Sequence, residues 1–190
     1  MRQLFLIATL LGAGAAHAAE LRSLDVDYED GHYTMASVVW FDAGLDETYH
    51  IFSSWDLSVK FSSAIVEARD LEPDESGRPG FLVVNKGCVL FFCKTLKRRG
   101  YVEREASREL RAYADPEQSD FRISNETWSF AEHDGGTVIT YTLLMQPDFW
   151  VPPGIGPYMI QRKLRNVSGE ALNRIELMAR DYAQDGGADR

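Results

Sequence analysis

The 190-residue chain is short of cysteine and histidine, of positive charge and of long apolar runs, and each shortage excludes something. Of its four histidines one, His17, lies in the leading segment, and His32, His50 and His133 are scattered with no i, i+4 pair of the kind that grips a metal on a helix. We expect no metal and no cofactor. A G-x-S-x-G elbow, a phosphate-binding loop and a dinucleotide fingerprint are also missing, so the sequence names no catalytic residue. Lys and Arg number 20 against 29 Asp and Glu, a formal charge of -9. That balance argues against nonspecific nucleic-acid binding, which needs a cationic face.

The one long apolar stretch is at the start. MRQLFLIATLLGAGAAHAAE has a positive Arg2, an apolar run from Leu4 to Leu11 and small residues ending Ala16-His17-Ala18. This is the three-part pattern of a secretory signal peptide, residues 1–18, with cleavage expected near Ala18. The run is shorter than the roughly 20 residues a bilayer span needs. The expected localisation is therefore periplasmic or secreted, and loss of Arg2 makes the charge -10. The remaining length suits one domain.

Within it, His32 to Phe41 is β-branched and aromatic enough for a strand. Leu45, Tyr49, Phe52 and Leu57 then recur at helical spacing, in a helix expected to break near Ser53-Ser54. A strand over Ala64 to Leu71 precedes the turn DESGRPG, and a meander of antiparallel strands follows. His133-Asp134-Gly135-Gly136 is a strong hairpin signal before the strand TVITYTLLMQ, in which Ile139, Tyr141, Leu143 and Met145 share the inward face. Ile160, Leu164, Val167, Ala171, Ile175, Met178 and Tyr182 form one apolar helical stripe, with Pro157 in its first turn and Gly169 a costly mid-helix residue. Residues 19–28 read as a lead-in, 29–184 as the folded domain and 185–190 as a disordered tail.

This order, with the segments Ala43-x-x-x-Glu47-x-Tyr49-x-Ile51-Phe52-x-x-Trp55, Gly136-Thr137-x-Ile139-x-Tyr141 and Pro152-Pro153-x-x-Gly156-Pro157, resembles the START-like helix-grip (SRPBCC) superfamily, in particular its polyketide cyclase/dehydrase and coenzyme-Q-binding branch. The resemblance implies an α+β fold: a curved antiparallel sheet of about seven strands wrapped around a long C-terminal helix, with two short helices after strand 1. It also implies a hydrophobic molecule held between sheet and helix. The residues expected to line that space are Trp55, Phe61, Phe91, Phe92, Trp128, Phe130, Ile139, Tyr141, Leu143, Phe149, Trp150, Ile160, Leu164 and Val167. Aromatic side chains fill cores as readily as they line pockets, so both readings stay open.

Both cysteines lie in Lys86-Gly-Cys-Val-Leu-Phe-Phe-Cys-Lys94. A straight strand would hold Cys88 and Cys93 too far apart to bridge. Alignment with the resembling family puts the stretch at a junction between strands, where Gly87 would turn the chain and a Cys88–Cys93 disulfide would close an apolar loop at the cavity rim. The apolar segment Phe149 to Gly156 reads as a lid. With the cations Arg162, Lys163 and Arg165 beyond it, that segment is also a candidate for transient contact with a membrane surface. Glu67, Glu126 and Asp56 are candidates to point inward, although the ordinary place for a carboxylate is the surface. The expected function is an exported, monomeric carrier or binding protein for a lipid or other hydrophobic small molecule. The alternative is a cyclase-, dehydratase- or hydrolase-type enzyme on an apolar substrate, and a third reading is an adaptor with a collapsed cavity.

Overall fold

The computed structural model describes residues 19–89, 92–166 and 169–186, without the side chains of Cys88, Val89 and Phe92. The expected signal peptide, Phe91 and Val167 lie outside the described residues. One antiparallel sheet in the order β1-β2-β8-β7-β6-β5-β4-β3 carries the fold, with all helices on its concave side. The strands are β1 (Glu20–Glu29), β2 (His32–Phe41), β3 (Ile65–Leu71), β4 (Gly80–Val89), β5 (Phe92–Glu105), β6 (Glu109–Ala114), β7 (Phe121–His133) and β8 (Gly136–Pro147). Eight strands stand where about seven were expected. The addition is β1, read from sequence as a lead-in. It pairs with β2 from Glu20↔Trp40 to Glu29↔His32. As an edge strand it buries only Val26 among its ten residues, so it shows almost no apolar alternation.

Helix α1 (Leu45–Ser53) and a 3-10 turn (Trp55–Lys60) follow β2, divided at Ser54 as expected. Ser53 and Ser54 hydroxyls both donate to the His50 carbonyl, a back-bond that competes with continuation of the helix. The β7–β8 connection turns at Asp134 and Gly135, with φ of 50° and 75°, the left-handed pair a two-residue hairpin needs. At the C-terminus the expected single helix is two: α2 (Ile155–Arg165) and α3 (Gly169–Gly186). Asn166, which caps α2, and Gly169, which opens α3, are both poor helix formers. Helix α3 continues through Asp185 and Gly186, both expected in the tail; residues 187–190 lie outside the described residues.

The β4–β5 hairpin corrects another expectation. Gly87 is not a turn residue but lies in β4 opposite Lys94, and the ladder continues through Cys88↔Cys93 to Val89↔Phe92. Residues 90 and 91 lie outside the described residues. Of the expected four-residue apolar loop, Val89 and Phe92 are strand.

The interior divides into three apolar clusters. Val39, Phe41, Ile51, Leu110, Phe130, Ile139, Leu172, Ile175 and Ala179 join the sheet to α1 and α3 at one end. Trp55, Phe81, Val83, Val102 and Ala112 form a second cluster under the 3-10 turn. Val26, Met35 and Leu143 form a third, with Leu164 of α2 against it. A filled domain of this size normally shows one contiguous core. Here the partition marks where apolar contact is interrupted.

Candidate functional site

A polar strip lies between the second and third clusters, on the concave face. Strand alternation puts Ser124, Glu126, Trp128 and Phe130 of β7 on that face, opposite Met145, Leu143, Tyr141 and Ile139 of β8. Ser37 of β2 faces Tyr141. On β5, Leu96, Arg98 and Val102 share the same side, with Arg98 opposite Val83 and Leu96 opposite Asn85 of β4. The six-residue β6 ends at Ala114, opposite Gly100, and the long Arg98 side chain crosses its end to form an ion pair with Glu126 two strands away. Glu126 is buried at 6 % exposure, among Ser37 and Ser124 at 5 % and 3 %.

Burial pushes the Tyr141 phenol up to about 12, offset in part by the nearby Arg98 charge. At neutral pH Tyr141 is a neutral group, able to donate and to accept. Burial also pushes the Arg98 guanidinium below its ordinary value, yet an arginine stays cationic in proteins. Arg98 and Glu126 thus offer one positive and one negative group, with no net charge between them. Nearby, the Trp55 indole N–H and the Asn85 side-chain carbonyl are buried without a hydrogen-bond partner. Trp55 is stacked on Phe81 at 4.3 Å and meets Trp128 edge-on at 6.0 Å.

The strip is not sealed: the Arg98 side chain keeps 18 % of its surface accessible. Trp128, Tyr141, Met145 and Leu164 point inward and pack against the clusters but remain only half-buried. A shallow cleft of about 440 Å³ at the β7–β8 turn, lined by Gly44, Leu45 and residues 132–136, is separate and touches none of the expected ligand residues.

Of the expected lining, Trp55, Trp128, Phe130, Ile139, Tyr141 and Leu143 come together on the concave side, and Phe61 packs against the α1 end. Leu164 and the half-buried Ile160 lie on α2. Phe149 packs outside the three clusters, edge-on to Phe121 at 6.2 Å with Lys94 Nζ 3.9 Å above its ring. Trp150 does not line the interior at all: it is 76 % exposed. Glu67 and Asp56 are exposed, as carboxylates ordinarily are. Sequence reasoning missed Arg98, hidden in the run Lys97-Arg98-Arg99. Its period-two neighbours Leu96 and Val102 were the available signal. Glu126, one of the three carboxylates expected as candidates to point inward, does so.

An eight-stranded antiparallel sheet closed by α1 and the C-terminal helices is the decisive observation. The chain has the START-like helix-grip fold. No family model and no curated protein sequence matches it. Solved structures do. A START superfamily protein from Mycobacterium smegmatis aligns with TM-score 0.61 at 16 % identity, over 78 % of this chain and 99 % of its own. The Zhui aromatase/cyclase of a Streptomyces species aligns with TM-score 0.61 at 14 % identity, over 82 % and 98 %. A STAR-related lipid transfer protein from Xanthomonas axonopodis aligns with TM-score 0.59 at 10 % identity, over 83 % and 98 %. At such identities the likeness carries the fold, and the START-like chain's own residues must carry the function.

Proposed function

We propose that this START-like protein binds and carries a hydrophobic molecule that bears an uncharged, oxygen-containing polar end. The observation behind this reading is the buried Arg98–Glu126 ion pair beside Tyr141, set between apolar clusters on the concave wall. A hydroxyl or carbonyl would find both donors and acceptors there. A carboxylate or phosphate would bring a net negative charge next to a pair that already balances, which is costly at low dielectric. The neighbours support the class: one is a lipid transfer protein and another an aromatase/cyclase.

The test is competition for a bound fluorescent probe between a long-chain alcohol and the carboxylic acid of the same length, at mildly alkaline pH where the acid is ionised. The alcohol should displace the probe at about tenfold lower concentration, equivalent to about 1.4 kcal/mol. Glu126→Gln removes the balancing charge and should reverse the preference. An acid that competes as well as the alcohol on the native protein would overturn the reading.

A second reading rests on the same residues. Arg98, Glu126 and Tyr141 are a donor, a carboxylate and a phenol converging on one space, enough to position and polarise a carbonyl in a cyclase- or dehydratase-type reaction. Organic extraction of the purified protein after incubation with a candidate substrate separates the two: a carrier returns it unchanged.

We also propose that the protein works after export. Cleavage after Ala18 would leave β1, which starts at Glu20, whole. Intact mass of the exported protein should match a chain starting at Ala19.

A further inference from the structure

We propose that the α2 end of the molecule is a docking surface for an anionic phospholipid bilayer, with Trp150, Ile155 and Tyr158 entering the headgroup layer and Lys94, Arg162 and Lys163 meeting the lipid charges. Among the described residues, three of the eight large apolar side chains left exposed fall in one short segment: Trp150 at 76 %, Ile155 at 55 % and Tyr158 at 59 %. Ile155 and Tyr158 are three residues apart in the first turn of α2, so they share a face, and Arg162 continues that face one turn on. The opposite face of the helix, through Leu164, packs on the cluster of Val26, Met35 and Leu143. Helix α2 is thus amphipathic with a second apolar patch turned outward at its N-terminal end.

The charge of the segment itself reverses that of the chain. The protein as a whole carries 29 acids against 20 Lys and Arg, but from Phe149 to Asn166 there is no acid at all. Arg162 and Lys163 are exposed there, and Arg165 donates to the Val26 carbonyl at 2.7 Å, which ties the helix to β1. Lys94, from the β4–β5 hairpin, stands 3.9 Å from the Phe149 ring and adds a cation on the other side of the loop. The acid at the loop's entry, Asp148, is already engaged by Arg122 at 2.6 Å. Tryptophan and tyrosine favour the interfacial layer, where the ring is buried and its polar edge stays wet, and basic side chains add attraction to anionic lipid. A second copy of this chain would bring the same positive charge to the patch and be repelled by it. The docking does not depend on what the interior holds.

Co-sedimentation of the full mature protein with phosphatidylcholine vesicles, with and without phosphatidylglycerol, tests the proposal. Binding should appear on the phosphatidylglycerol vesicles, weaken with salt, and fall roughly tenfold or more in R162Q/K163Q. Brominated lipid should quench tryptophan fluorescence in the native protein and not in W150F, whose remaining tryptophans lie away from the patch. W150S/I155S, whose altered positions are exposed and whose thermal unfolding should match the native protein's, should lose vesicle binding. The proposal is overturned by unchanged binding in these variants, by no binding to either vesicle, or by concentration-dependent self-association that the W150S/I155S change abolishes.

Discussion

Replacing Glu126 by Gln tests whether the interior ion pair is what the geometry makes it. Glu126 is 6 % exposed, and its partner Arg98 cannot discharge by losing a proton. Removing one partner of a buried pair leaves an uncompensated charge, at a cost of about 3–5 kcal/mol. Arg98 keeps 18 % of its side-chain surface accessible, so water reaches it in part and the lower end, about 3 kcal/mol, is expected. For a domain of this length each 1 kcal/mol lowers Tm by about 2–4 °C, giving a drop of about 10 °C for E126Q. The double variant R98M/E126L removes both charges and should unfold within about 1 kcal/mol of the native protein, because apolar replacement of a whole buried pair is near neutral. Urea and thermal unfolding of the native, two single and one double variants close the cycle. E126Q costing less than 1 kcal/mol, or a double variant as unstable as the sum of the singles, would refute the buried pair. A stable R98M/E126L protein that no longer prefers alcohol over acid would place the pair's value in ligand recognition.

Gly100→Ala should destabilise severely and reduce soluble yield, since a Cβ there would collide with the Tyr113 carbonyl oxygen, on backbone that cannot yield cheaply. Thr137→Val should cost about 1–2 kcal/mol in urea unfolding, because the fully buried hydroxyl donates to the Ala43 carbonyl at 2.8 Å and its loss leaves that acceptor unpaired. Burial, then neighbouring Tyr28, pushes Tyr33 up to about 12, so the unfolded chain loses that proton first, near pH 10. Stability present below pH 10 should therefore fall by roughly 3 kcal/mol on approach to pH 12, and Tyr33→Phe should remove most of that slope. Cys88 and Cys93 are directly opposed, and opposed antiparallel residues have Cα atoms about 4.5–5.5 Å apart, within disulfide range. The exported protein, denatured without reductant, should therefore take up no maleimide, and two added labels would exclude the bridge.

The parts of the fold that were legible in the sequence are those where one local signal had no competitor. Asp134-Gly135 supplied the only backbone freedom between two apolar runs, and Ser53-Ser54 offered the carbonyl of His50 an alternative to the next helical turn. Strand β1 was not legible because an edge strand needs no apolar partner on one side: its pairing is made by backbone groups, and only Val26 is buried. The α2–α3 division was hidden for the opposite reason, an apolar stripe that kept its period through residues that do not favour helix. Strand alternation fixed the direction of Trp128, Phe130 and Tyr141, which face the concave side. No such periodicity constrains Trp150, and it faces solvent. Arg98 was missed because burial was assigned by residue type, which sends an arginine to the surface, when strand position already placed it on the inner face beside Glu126, a carboxylate named as a candidate to point inward.

The same strand logic bears on the choice between carrying and catalysis. A general base must be free to take a proton near the working pH. Tyr141, raised to about 12, is held as a neutral phenol, and the Glu126 carboxylate is already engaged by a guanidinium. Arg98 has no proton to give. Tyr141 and Arg98 are therefore suited to hydrogen bonding without changing their own protonation, which describes recognition better than proton transfer. Chemistry in this interior would need the substrate itself to be reactive, with the wall supplying only orientation and a polarising field. Under that condition a variant such as Tyr141→Phe would lower the rate and the affinity together. In a protein that transferred a proton through Tyr141, the rate would collapse while binding of the same molecule survived.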